Sequence, residues 1–328
     1  MFKLRGRQWI LITLVASIAL CSTLFLGQAP ALAWPDRTVR LLTPFGAGGG
    51  SDAIARMIAD RLSKRWGQPV VVENKPGADG LLAASDFVQI RDPHYLLLSF
   101  TSIVTVNPIM HQKLPYDTAD LQPISPVVDG VITVVTNPAA NINSLAELIE
   151  TAKARPGTLN FATVPGGGHF GFMDFQRRSG IALTLVPYRN PIASVADLIE
   201  NRIQIAVMPL SIVLAQVQAG KLKLLCVTSD KRAPAAPDVP TTREAGAPEF
   251  RVMGGLGLFA NKDMPGELRD RIARDVSAVV NDPEVSSRIA TLGELVRSAT
   301  PEEFASILRE QTAWYSALAK ANGFEPQP

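Results

Sequence analysis

The sequence predicts an α/β protein of two lobes, and three observations carry that prediction. Apolar strand-like runs alternate with amphipathic helical segments almost from end to end, the pattern of largely parallel sheets. A glycine-rich junction between a strand and a helix, Phe45-Gly-Ala-Gly-Gly-Gly-Ser-Asp52, is echoed in kind by Pro165-Gly-Gly-Gly-His169. Once a leader is set aside, the chain is still long enough for two lobes of ordinary domain size.

The leader is residues 1–33. Lys3, Arg5 and Arg7 precede an almost unbroken apolar run, Trp9 to Leu26, and Ala31-Leu-Ala33 supplies a small-x-small cleavage pattern. Cleavage is expected after Ala33, with export to the periplasm; a retained anchoring helix is the alternative. Whole-chain charge is +2, from 32 basic and 30 acidic residues. Without the leader's three basic residues, 29 face 30, a formal charge of −1. The basicity therefore belongs to the leader, and no nucleic-acid footprint remains. Cys226, in the apolar run Leu222 to Thr228, reads as a packed thiol.

The elements follow in order. Val39 to Thr43 is a strand, and Ser51 is the expected cap of a helix running to Trp66, with Gly67 as its stop. Pro69 to Glu73 is the second strand, followed by the turn-rich Asn74 to Gly80, which opens a helix. Tyr95 to Phe100 is the third strand and exits into Thr101, Ser102 and Asn107-Pro108. Ser144-Leu-Ala-Glu147 is a capping box whose helix ends at Arg155-Pro156-Gly157. Leu159 to Thr163 is a strand, and His169 to Ser179 a helix. Then come a strand at Leu183 to Pro187, a helix at Ala193 to Glu200, a strand at Ile203 to Val207 and a helix at Ser211 to Gln218. The proline-rich Ala233 to Pro240 is a surface connection. Arg251 to Ala260 returns as a strand, Pro265 starts a helix, and Thr300-Pro-Glu-Glu303 caps the last one.

The chemistry lies in the glycine loops. A helix start leaves N–H groups without intrahelical partners at the positive end of the dipole, a ready site for a carboxylate or phosphate. The first candidate site is therefore Phe45, Gly46, Ala47, Gly48, Gly49, Gly50, Ser51 and Asp52. The second is Pro165, Gly166, Gly167, Gly168 and His169. Hydroxyls of Ser51, Thr101, Ser102, Thr163 and Ser211 add directed hydrogen bonds, and Arg189 is the candidate charged partner. Phe45, Phe170 and Phe172 are candidates for an apolar wall. A bulky residue at Gly49 or Gly167 is expected to abolish binding while sparing the fold, either by positive φ or by contact with the ligand.

The competing reading is a secreted dinucleotide-binding oxidoreductase. Gly48-Gly49-Gly50-Ser51-Asp52-Ala53 satisfies the loose G-x-G-x-x-A fingerprint, and Glu73 stands where a ribose-binding acid would sit. Against it, His94, His111 and His169 lack metal-ligand spacing, and neither a nucleophile elbow nor a Walker lysine is present. No cofactor and no metal are expected.

Taken together, these segments resemble the Bug receptors of tripartite tricarboxylate transporters. Pro44-Phe45 with Gly48-Gly-Gly-Ser-Asp52, and Val70-Val-Val-Glu-Asn-Lys-Pro-Gly-Ala78, look like family signatures. Leu114-Pro-Tyr-Asp117, Val186-Pro-Tyr188, Val227-Thr-Ser229, Asp238-Val-Pro-Thr241 and Glu244-Ala-Gly246 follow in the family's order. The resemblance implies a monomeric, non-enzymatic, type II periplasmic binding protein of Venus-flytrap form, with a small organic acid in the cleft between its lobes. It implies an inner-membrane two-component permease as partner, and adds Ala78, Asp79 and Met208 to the ligand-binding set. The expected lobes are 34–130 with 254–328, and 131–253, joined by crossovers near Val127 to Val134 and Arg251 to Leu258. Departures from the family pattern cluster at the cleft: a short second loop, Asp79, Arg189-Asn190 and Met253-Gly254. Dicarboxylates, citrate-like acids, acidic or amidated amino acids and aromatic acids all suit two opposed cradles.

Overall fold

The first apolar run forms strand β1 (Val39–Thr43), buried at four of its five residues. Helix α1 (Gly50–Trp66) follows, with Ile54, Ile58 and Leu62 turned to the core, and stops at Gly67 in the left-handed conformation. Strand β2 (Val70–Asn74), helix α2 (Leu81–Gln89) and strand β3 (Tyr95–Phe100) complete a parallel unit in which β1 pairs with both β2 and β3. Two single-turn helices, α3 (Ser102–Thr105) and α4 (Asn107–Met110), lead to β4 (Leu121–Asp129).

The computed structural model describes residues 34–163, 166–188 and 191–326. Residues 38–328 form one compact unit. The expected leader, Pro165, Arg189 and Asn190 lie outside the described residues.

After β4 the chain needs only Gly130 and Val131 before strand β5 (Ile132–Thr136) opens a second sheet. Helix α5 (Leu145–Ala154), strand β6 (Asn160–Thr163), helix α6 (Gly167–Ser179), strand β7 (Thr184–Leu185), helix α7 (Pro191–Ile199), strand β8 (Ile205–Pro209), helix α8 (Leu210–Gln218) and strand β9 (Lys223–Val227) build around it. Strand β10 (Gly255–Asn261) returns to the first sheet, and helices α9 (Gly266–Val280), α10 (Pro283–Thr291), strand β11 (Leu295–Val296) and helix α11 (Pro301–Ala321) finish the chain. The strand orders are β11-β4-β10-β3-β1-β2 and β7-β6-β8-β5-β9. The fold is thus α/β with two lobes, one sheet in each.

Both sheets are mixed, which corrects the expectation of largely parallel ones. Strand β10 runs antiparallel to β3 and β4, β11 antiparallel to β4, and β5 antiparallel to β8 and β9. The reason is connectivity. Strands β5 and β10 are those by which the chain enters each sheet from the other, so neither is fed by the strand–helix–strand crossover that makes neighbours parallel.

Local chemistry explains the ends of the elements. The Thr300 hydroxyl accepts from Glu303 N, and the Glu303 carboxylate accepts from Thr300 N, a complete capping box. At α5 the Ser144 hydroxyl accepts from Glu147 N, but the Glu147 carboxylate reaches Asn143 N, one residue earlier than expected. The run Leu183 to Pro187 is strand only at two residues, and Arg251 to Gly254 stay irregular ahead of β10.

Apolar clusters cover the sheets. Phe161, Phe172, Phe175 and Phe250 pack on one side of the second lobe, and Leu198, Met208, Val213 and Leu224 form another cluster. Leu42, Phe87, Leu97, Phe259 and Phe304 fill the first lobe. A smaller group joins Val106, Phe170, Tyr315 and Leu318, so the later half of α11 packs on α6. Cys226 is wholly buried, which pushes its thiol up to about 12 and leaves it unreactive.

Candidate functional site

Helix α1 begins one residue before the expected Ser51, and its N-cap is Gly49, which has no side chain to offer. Helix α6 begins two residues before the expected His169, with Gly166 as its N-cap at φ 93°. Three helices are capped by side chains, Ser144 at α5, Asp282 at α10 and Thr300 at α11, while α2, α3, α4, α8 and α9 start without one. A Ser or Asp at Gly49 or Gly166 would consume one of the first N–H groups of its helix. Glycine leaves the N–H groups of Gly50, Ser51 and Asp52, and of Gly167, Gly168 and His169, without a capping oxygen from their own helix.

Both starts line one cavity of about 870 Å³. Its wall takes Phe45 through Asp52 from the first loop and Gly166, Gly167 and Gly168 from the second. Asp79, Thr101 and Ser102 join from the first lobe, and Ser211 from the second. Helix α8 contributes a third helix start: a Cβ built on Gly50 would lie 3.7 Å from the Ser211 Cβ.

Asp52 organises the first loop. Its carboxylate accepts from Gly48 N at 2.9 Å, Arg56 Nε at 2.9 Å and Asn74 Nδ2 at 2.8 Å. Burial alone would push it up, but the hydrogen bonds from Arg56, Gly48 and Asn74 outweigh burial and hold it below the usual carboxylate range. The loop keeps its shape through Asp52, with Gly48 at φ +84°, where a side chain is strained.

Tyr315 holds the second cradle. Its fully buried hydroxyl accepts from Met253 N at 2.9 Å and donates to Met253 O. A Cβ added at Gly167 would come within 2.8 Å of the ring carbon that carries this hydroxyl. The expectation for Gly167 is therefore corrected: a side chain there strains the core as well as the site. At Gly49, φ is −78° and the nearest atom to an added Cβ is Gly46 O at 3.5 Å, so the fold has room and positive φ is not the reason for glycine.

Other expected residues lie elsewhere. Met208 is fully buried in the second lobe's core, so it is displaced from the wall by its neighbours Pro209 and Ser211. Ala78 and Thr163 are not on the wall. His169 is not on the wall; its ring lies beside Phe170, and burial lowers its pKa. Phe45 lines the cavity, whereas Phe170 and Phe172 belong to the cores. Glu73, the acid a dinucleotide would need, pairs with Arg40 on the surface and is not on the wall. Among the described residues no group of three potential metal ligands occurs, and no helix is long and apolar enough to cross a membrane.

The sequence reading missed Glu294. It sits between α10 and β11, lines the cavity, and accepts from Val131 N and the Ser211 hydroxyl, each at 3.3 Å. Burial pushes its carboxyl up to about 7 against the two hydrogen bonds. It therefore ties the β4–β5 crossover to α8. The two crossovers are joined as well, through Gly130 N donating to Gly254 O at 2.9 Å. An acid alone in the apolar stretch Leu292-Gly-Glu-Leu-Val296 was the available signal.

With this geometry in view, the relatives are informative. Protein BugT of Bordetella pertussis is 30% identical over 295 residues, which cover 88% of this chain and 90% of BugT. A Rhodopseudomonas palustris protein solved with adipate superposes with a TM-score of 0.82 at 28% identity, covering 90% of this chain and all of that one. MatC from the same species, solved with malate, gives 0.74 at 26% identity over 87% of this chain and 99% of its own. Residues 54–324 match the profile of the tripartite tricarboxylate transporter family receptor, TctC. The chain belongs to that family of solute-binding receptors.

Proposed function

We propose that the mature chain is a periplasmic receptor that captures a small organic acid and presents it to a two-component permease of the inner membrane. One observation carries the reading: two helix starts, each capped by glycine and left without a capping side chain, line the same cavity. Backbone N–H groups hold a carboxylate without a buried cation, so capture is compatible with release. Relatives solved with adipate and malate support a carboxylate ligand. Ser51, Thr101, Ser102 and Ser211 supply hydroxyls to the same ligand, and Arg189 would serve as a charged partner for its carboxylate at the second helix start. The lobes 34–130 with 254–328, and 131–253, close about the two crossovers. Cleavage after Ala33 releases the receptor as a monomer without catalytic activity.

A thermal-shift screen of the mature protein tests this. Organic acids raise its melting temperature, while nicotinamide dinucleotides leave it unchanged. Stabilisation by dinucleotides with none from organic acids overturns the reading.

A further inference from the structure

The polar end of the cavity explains how an acid is held, but most of the remaining wall is not polar. Large apolar side chains among the described residues stand exposed at Val71, Leu82, Phe100 and Leu185, and of these only Phe100 lines the cavity. It is the last residue of β3 and is 40% exposed. Phe45 meets it edge-on, with ring centroids 5.1 Å apart and planes at 71°. Met110, Ile132, Ile212 and Met253 extend the same apolar wall from both lobes.

The ionisable side chains on the described wall have one sign. They are Asp52, Asp79 and Glu294. Asp52 is already engaged by Arg56, Asn74 and Gly48, while Asp79 is exposed, its backbone carbonyl accepting from Asn107. A ligand with one carboxylate at the helix starts meets favourable dipoles. A second carboxylate, directed away from them, meets phenylalanine and methionine or one of these acids. Burying an ionised oxygen without a partner is costly, whereas an apolar body gains by covering Phe100.

We propose that the ligand carries a single carboxylate on an apolar, ring-sized or branched body, and that Phe100 selects for that body. This rests on the receptor reading above and narrows it. Phe100 would lie against the ligand's apolar face, with Phe45 buttressing the ring from its edge. The carboxylate would point to Gly50-Ser51 and Gly167-Gly168.

Titration calorimetry on the mature protein tests this with phenylacetate, 4-methylpentanoate, adipate, citrate and the neutral phenylacetamide. Phenylacetate or 4-methylpentanoate is expected to bind at least about tenfold more tightly than adipate or citrate, and phenylacetamide to bind far more weakly than its acid. Phe100→Asn, at an exposed position, is expected to keep the wild-type melting temperature and to lose about tenfold for phenylacetate with little change for adipate. Tighter binding of adipate or citrate than of either monocarboxylate overturns the proposal and leaves the receptor reading standing. Equal binding of phenylacetamide and phenylacetate, or an Asn variant that binds phenylacetate normally, also overturns it. Binding of none of the acids defeats both readings.

Discussion

Replacing Glu294 by glutamine should make the protein more stable at alkaline pH and leave it unchanged at acid pH. The carboxyl is 9% exposed, and burial raises it from an ordinary 4.5 to about 7. Its folded form therefore holds a proton that the unfolded chain releases, so stability falls as pH rises from 4.5 to about 7, and the cost is complete above that. At about 1.4 kcal/mol per pH unit this amounts to roughly 3 kcal/mol at pH 8. Glutamine keeps the shape: its carbonyl accepts from Val131 N while its amide donates to the Ser211 hydroxyl, so both present contacts survive. Urea unfolding of both proteins from pH 4.5 to 8.5 reads the difference directly, because all other titrating groups are shared. The two curves should meet near pH 4.5 and separate by roughly 2–3 kcal/mol at pH 8. Parallel curves would show that Glu294 is already ionised at no cost, and the argument from burial would be wrong.

Gly167→Ala should destabilise by roughly 2–3 kcal/mol through overpacking against the Tyr315 ring, and a Tyr315→Phe background should recover part of it; denaturant midpoints decide, and an unaffected midpoint refutes the close approach. Gly49→Leu should behave oppositely, with a normal melting temperature and strongly weakened binding of an organic acid, since the fold has room there and a side chain at this wall position takes space from the ligand. Normal binding by that variant would remove the first loop from the site. Arg189→Ala should weaken a carboxylate ligand by about 1.5–3 kcal/mol in calorimetry, the worth of a charged hydrogen bond, and an unchanged affinity would assign Arg189 to solvent.

Much of the scaffold was legible because local chemistry and packing agree. Strand β1 was bounded correctly by its apolar run, α1 by Gly67, and α11 by the Thr300 capping box. Strand β4 was not recognised, since Pro123 and Pro126 argue against an interior strand. The register with β10 shifts near those prolines, and the irregularities absorb their missing donors. The glycine loops were visible as motifs, but which N–H groups they leave open depends on Asp52 folding back onto Gly48, a contact within the loop that spacing alone does not reveal. Glu294 was missed because its one mark in the sequence, an acid set in the apolar stretch Leu292 to Val296, does not say which distant groups, Val131 and Ser211, it will meet. Met208 was misjudged because adjacent positions on β8 face opposite sides of the sheet, one into the core and one to the cavity.

The position of β10 constrains the order in which the chain can fold. This strand separates β3 from β4, yet it is made roughly 155 residues after β3, a long-range pairing that is slow to form. Until it arrives, the parallel trio β1-β2-β3 has no strand on the far side of β3, and β4 has no partner there either. The second sheet, by contrast, is complete within residues 132–227 and can form from one uninterrupted stretch. A chain delivered from its N-terminus would thus complete its second sheet before its first. For much of that time the inner edge of β3 would be open to pairing with another molecule, the hazard that exposed strand edges carry.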